Sequence, residues 1–94
     1  GAKIINSIVR GPAIIGKNTV IENSYVGPFT SIFHDVTVNN CEIERCIILE
    51  NSLIADLPAV LRDSLIGRNV IIESDKFRPK GLKLQLGDNS KVWI

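Results

Sequence analysis

The chain has 94 residues, 45% of them hydrophobic, with eleven Lys and Arg against ten Asp and Glu for a net charge of +1. That length fits one small domain, and so balanced a charge supplies no field for nucleic acid or an anionic membrane surface. Two cysteines, one histidine and no apolar run near the roughly 20 residues of a bilayer span exclude a disulfide-stapled scaffold, a four-ligand zinc site and a transmembrane helix, so a cytoplasmic setting is expected.

Gly1 stands where an initiator Met would, and is read as a processed end, a tag remnant or the start of an excised piece. From Ile4 onward one interval recurs. Val9, Ile15, Ile21, Val26, Ile32, Val38, Ile43, Ile48, Ile54, Val60, Ile66 and Ile72 follow at steps of five or six residues, all of them Val or Ile. Neither the 3.6-residue helical period nor simple strand alternation repeats in this way. Two positions before each, from Val9 on, stand Ser7, Ala13, Thr19, Ser24, Thr30, Val36, Cys41, Cys46, Ser52, Pro58, Ser64 and Val70, small or β-branched apart from Pro58. Residues i and i+2 of extended chain face one side, so each unit turns one small and one branched side chain inward and then bends. One position further back, Asn6, Asn18, Asn23, Asp35, Asn40, Asn51, Asp63 and Asn69 fill eight of the twelve bend slots. Asn and Asp tolerate left-handed backbone angles, and Gly11, Gly16, Gly27 and Gly67 are expected to relieve neighbouring positions.

Three such units per coil predict an all-β chain, a triangular, single-stranded parallel β-helix of about four coils. Its aliphatic columns are predicted as Val9, Val26, Ile43 and Val60; Ile15, Ile32, Ile48 and Ile66; and Ile4, Ile21, Val38, Ile54 and Ile72. Leu49, Leu53, Leu57, Leu61 and Leu65 are four apart and offer a rival helical stripe. Pro58 interrupts that stripe while the six-residue register passes through it, which favours the β-helix. Leu53 and Leu65 then point outward beside Ile14, Ile47 and Ile71, as a covered face or as scattered surface apolars.

After Ile72 the period stops. The run "ESDKFRPKGLKLQLGDNSKVWI" carries Pro79 and Gly81 in a charged loop, alternates as Leu82, Leu84 and Leu86, turns at "GDNS" and ends "KVWI". The expected division is a repeat body over 1–75 and a hairpin-like tail over 76–94 that caps the last coil, with Trp93 as a plug. Ile4 already belongs to a column, so a segment ahead of Gly1 is expected to cover it, and without that cover the chain should self-associate end to end or through the Leu53 and Leu65 face.

Hexads of this kind resemble the bacterial hexapeptide-repeat families, acyltransferases and the C-terminal domains of sugar-nucleotide pyrophosphorylases among them. More specifically, "IVRGPAIIGKNTVIENSYVGPFTSI", "CEIERCIILENSLI", "RDSLIGRNVII" and "RPKGLKLQLGDNSKVWI", in that order, resemble the C-terminal domain of long-form glucose-1-phosphate thymidylyltransferase across nearly all of the chain. The resemblance implies a left-handed β-helix, non-catalytic, that serves oligomerisation or stability. It also implies a missing N-terminal nucleotidyltransferase domain that joins dTTP to glucose 1-phosphate with Mg²⁺, so no catalytic, cofactor-binding or metal residue is assigned here. Phe33 in "SIFHDV" departs from the small turn residue expected at that place.

Among the remaining reactive side chains, His34 is the sole histidine. It is read as an exposed corner residue, or alternatively as the base of a hexapeptide acyltransferase using acetyl-CoA on a sugar or sugar phosphate. Asp35 is adjacent, but neighbours along extended chain are expected to point apart. Cys41 and Cys46 are placed inward on different faces as apolar fillers, Cys41 between Ser24 and Pro58 and Cys46 between Thr30 and Ser64. Lys76, Arg78, Lys80 and Lys83 form a basic cluster read as a solvated loop, or as point charges for phosphate, with no glycine-rich cradle beside it.

Overall fold

The computed structural model describes residues 1–74 and 82–85. Among these residues there are short strands and no helix. The first coil comprises β1 (Lys3–Ile5), β2 (Ile8–Val9) and β3 (Ala13–Ile15), and the second β4 (Val20–Glu22), β5 (Tyr25–Val26) and β6 (Thr30–Ile32). The third comprises β7 (Thr37–Asn39), β8 (Glu42–Glu44) and β9 (Ile47–Ile48), and the fourth β10 (Leu53–Ala55), β11 (Leu61–Arg62) and β12 (Leu65–Ile66). β13 (Ile71–Ser74) starts a further turn, and β14 (Leu82–Gln85) follows.

Strands stack by coil into three parallel sheets, in the orders β1-β4-β7-β10-β13-β14, β2-β5-β8-β11 and β3-β6-β9-β12. This is a three-sided parallel β-solenoid of about four turns, consistent with the left-handed form. β14 alone runs antiparallel, pairing Ile72 with Leu84, so part of the expected tail covers the edge of β13. Trp93 and the "GDNS" turn lie outside the described residues.

The inward columns explain the period. Ile21, Val38, Ile54 and Ile72 stack in register and are fully buried, as are Val26 with Ile43 and Ile48 with Ile66 on the other two sides. Each such side chain contributes roughly 1.5–3 kcal/mol by leaving water. Ile4 pairs with Ile21 at the first coil but remains 50% exposed.

All eight predicted Asn and Asp bends have positive φ, from 47° at Asn6 to 60° at Asn51. Phe29, Arg45 and Asp56 join them, and among the described residues no glycine does. Gly16 and Gly27 instead serve close approach, contrary to the expectation of relieved bends: a Cβ at Gly16 would stand 2.6 Å from the Phe33 carbonyl carbon, and one at Gly27 2.8 Å from Glu44 Cβ. At the bends, where the ladder is interrupted, the small inward residues bridge coils. Ser24 Oγ accepts the Cys41 N–H at 3.1 Å and donates to the Glu22 carbonyl, while Thr19 Oγ1 donates to the Phe33 carbonyl and accepts the Val36 N–H. Satisfying buried backbone groups in this way explains the hydroxyls at Thr19 and Ser24, whereas Thr30 Oγ1 is buried without a hydrogen-bond partner.

The register slips once. Leu61, not Val60, stacks on Ile43 and is buried, while Val60 is only half-buried. The bend falls at Asp56 and not at 57, so Leu57, packed against the core, takes the place expected of Pro58 beneath Cys41. Five positions separate Asp56 from inward Leu61, where three separate Asn40 from Ile43. The additional length bulges outward as Pro58 and Ala59, both exposed.

Candidate functional site

His34 sits at an exposed corner, as expected, but its relation to Asp35 is not the expected one. Its Nδ1 lies 2.7 Å from Asp35 Oδ2. Asp35 has a φ of 56°, so the chain is not extended there and successive side chains no longer alternate. That hydrogen bond holds the Asp35 carboxyl below its ordinary value against partial desolvation, with smaller help from the His34 charge, the Asn18 side chain and Lys17. The His34 side chain is 45% exposed, and no group of three or more His, Cys, Asp and Glu side chains among the described residues is placed to hold a metal.

Cys41 and Cys46 are buried and unpaired, on different sides of the prism. Cys46 follows the predicted register between Thr30 and Ser64. Each thiol donates to the carbonyl two residues back, Cys41 to Asn39 at 3.0 Å and Cys46 to Glu44 at 3.1 Å. Burial pushes both thiols up, so the nucleophilic thiolate is suppressed and they act as packing. Of the basic cluster, Lys76, Arg78 and Lys80 lie outside the described residues, and Lys83 falls within β14.

Two surface features were not drawn from the sequence in their observed form. The first is a groove of about 760 Å³ along the corner where each coil passes from the β1-containing side to the β2-containing side. Asn6, Asn23 and Asn40 form its ladder, Ile8, Tyr25 and Glu42 its flank, and Leu57, Pro58 and Ala59 its far end. Its signal was present in the 17-residue spacing of the three asparagines; the lip was hidden because it comes from the register slip. The second is an apolar face. Ile14, Ser31, Ile47 and Leu65 form the outward column of the β3-β6-β9-β12 sheet, with Ile14 69% and Ile47 46% exposed. Exposed Phe29 and Phe33 precede and follow β6 at its two corners, and no charged side chain stands in the column. Leu53 and Ile71 are outward on a different side, so the single face expected to join them to Leu65 does not exist.

Ion pairs line another edge. Arg45 Nε donates to Asp63 Oδ1 at 2.8 Å, and Arg62 and Arg45 both approach Glu44 within 4.0 Å. Among the described residues no helix is long and apolar enough to cross a membrane.

No protein-family profile and no solved structure matches the chain. Curated relatives do. The chain is 43% identical over all 94 residues to a glucose-1-phosphate thymidylyltransferase of Streptomyces griseus, and 42% identical over the same length to that of Streptomyces antibioticus. It is 36% identical over 70 residues, 73% of its length, to a low-salt glycan biosynthesis nucleotidyltransferase of Haloferax volcanii, covering 19% of that protein. The chain spans about a quarter of the two Streptomyces relatives, 26% of each. Over its whole length it matches the C-terminal region of glucose-1-phosphate thymidylyltransferases.

Proposed function

We propose that this chain is the non-catalytic C-terminal β-helix domain of a cytoplasmic nucleotidyltransferase that makes dTDP-glucose and pyrophosphate from dTTP and glucose 1-phosphate. The observation that carries this reading is the 43% identity along all 94 residues to a protein of that name. Catalysis, with Mg²⁺ on the substrate phosphates, belongs on this reading to a preceding domain. The solenoid supplies assembly and stability: its rigid columns present the Ile14, Ile47 and Leu65 face, whose uncharged aliphatics fit a second copy of the chain. Expression with the coding sequence upstream of Gly1 tests the reading. The longer protein is expected to form dTDP-glucose, and a version ending before Gly1 to keep its turnover at 25 °C while losing assembly and thermal stability. A stop codon or an unrelated domain upstream contradicts the proposal.

The His34–Asp35 pair supports a second reading, an acyltransferase acting on a sugar or sugar phosphate with acetyl-CoA. Calorimetry with acetyl-CoA separates the two: saturable heat abolished by His34→Ala favours the acyltransferase, and no heat removes it.

A further inference from the structure

We propose that the corner groove binds a neutral hexopyranose unit, with Asn6, Asn23 and Asn40 as its hydrogen-bonding ladder, Tyr25 as its stacking surface and Glu42 as its acceptor. The three asparagines occupy the same left-handed bend in successive coils, so their side chains leave one edge at the strand spacing of about 4.8 Å. Asn6 Nδ2 donates to Asn23 Oδ1 at 2.6 Å, and Asn40 Nδ2 donates to Asp56 Oδ1 at 3.1 Å. These bonds orient the amides and leave Asn23 Nδ2 as donor, with Asn6 and Asn40 Oδ1 as acceptors, for an outside partner. Strand spacing is close to the separation of hydroxyls across a pyranose ring, so a fixed ladder of donors and acceptors meets them without reorganisation.

Tyr25 stands beside this ladder, stacked between Ile8 and Glu42 in adjacent strands. Its ring leans over Gly27, with Cε1 3.1 Å from where a Cβ would stand, so the glycine makes room for it. A half-buried aromatic flanked by amides suits a ligand with an apolar C–H face and a hydroxyl rim. The Glu42 carboxylate is exposed and makes no ion pair or side-chain hydrogen bond among the described residues, so its oxygens remain as acceptors for hydroxyls. Charge then decides the class. No Lys or Arg lines the groove, and Glu42 repels a phosphate or carboxylate, which leaves a neutral sugar. The two additional residues after Asp56 raise Pro58 and Ala59 as a wall at one end.

This inference does not depend on the nucleotidyltransferase reading. Two-dimensional ¹H–¹⁵N spectra of the whole chain, titrated with the methyl glycosides of glucose, galactose and mannose and with glucose 1-phosphate, test it. At least one glycoside is expected to shift the side-chain amides of Asn6, Asn23 and Asn40 saturably with a millimolar dissociation constant, and glucose 1-phosphate to bind more weakly. Tyr25→Ala and Glu42→Ala should each weaken binding by about tenfold or more, a loss near 1.4 kcal/mol. Because Glu42 is exposed, unchanged core amide shifts in its variant separate lost binding from lost folding. No saturation with any glycoside, unchanged affinity in Glu42→Ala, or a preference for glucose 1-phosphate overturns the proposal.

Discussion

Phe29 holds a φ of 60° with its ring 70% exposed, so little packing offsets a left-handed backbone that disfavours a bulky side chain. Phe29→Asn is expected to stabilise the chain by about 1 kcal/mol, read from urea unfolding. Arg45 sits at an equivalent bend with a φ of 51°, but its guanidinium bonds both Asp63 carboxylate oxygens, at 2.8 and 3.3 Å. The Arg45 bond holds the Asp63 carboxyl below its ordinary value against partial desolvation, and the charges of Arg45 and Arg62 add to the effect. A depressed carboxyl contributes stability above its unfolded pKa and loses it as pH falls through the lower folded value. Stability should therefore decline below about pH 4, and Asp63→Asn should flatten that part of the pH profile; an unchanged profile would show that the exposed pair does not matter. Close approach sets the other residue-scale test. Both atoms nearest a Gly16 Cβ are backbone, Phe33 C at 2.6 Å and His34 N at 2.7 Å, so they yield little. Gly16→Ala should cost about 2–3 kcal/mol, whereas Gly11→Ala, with its nearest atom at 3.6 Å, should change stability by less than ~0.5 kcal/mol.

At the scale of strands, the one slip between β10 and β11 distinguishes two registers. Leu61 is buried on Ile43, and Val60 is half-buried before it. Leu61→Ala should cost about 2–5 kcal/mol and Val60→Ala clearly less, measured by thermal or urea unfolding; the reverse order would restore the unbroken six-residue register. The regular coils were legible because side-chain alternation and bend chemistry are local: Asn23, Asn40 and Asn51 each mark a bend wherever they occur. The slip was not, since "ADLPAVLRDS" offers inward candidates at both 60 and 61, and only stacking on Ile43 chooses between them. Phe29 and Arg45 were missed for the same reason, because neighbouring coils impose a bend that their own propensities oppose. Of the groove, the asparagine ladder was visible as a spacing, while its wall followed from the slip. The His34–Asp35 bond was hidden behind an assumption of extended geometry that the Asp35 bend removes.

Across the whole molecule, three sides of one prism carry different chemistry. The side containing β1 mixes charged, polar and apolar residues in its outward columns, with Lys3 in one and Glu22 and Glu73 in the other, and that containing β2 carries the groove flank and the Glu44–Arg62 pair. Only the β3-β6-β9-β12 side presents an uncharged outward column, interrupted by Ser31 alone. A flat parallel face of this kind is the natural place for a second copy to add its own aliphatics, which is the assembly role proposed for the domain. Sedimentation velocity on the 10.3 kDa chain at high concentration tests that claim most directly. The wild type should sediment as an oligomer and the Ile14→Lys, Ile47→Lys double variant as a folded monomer; a monomeric wild type, or an oligomer that survives both lysines, would contradict it.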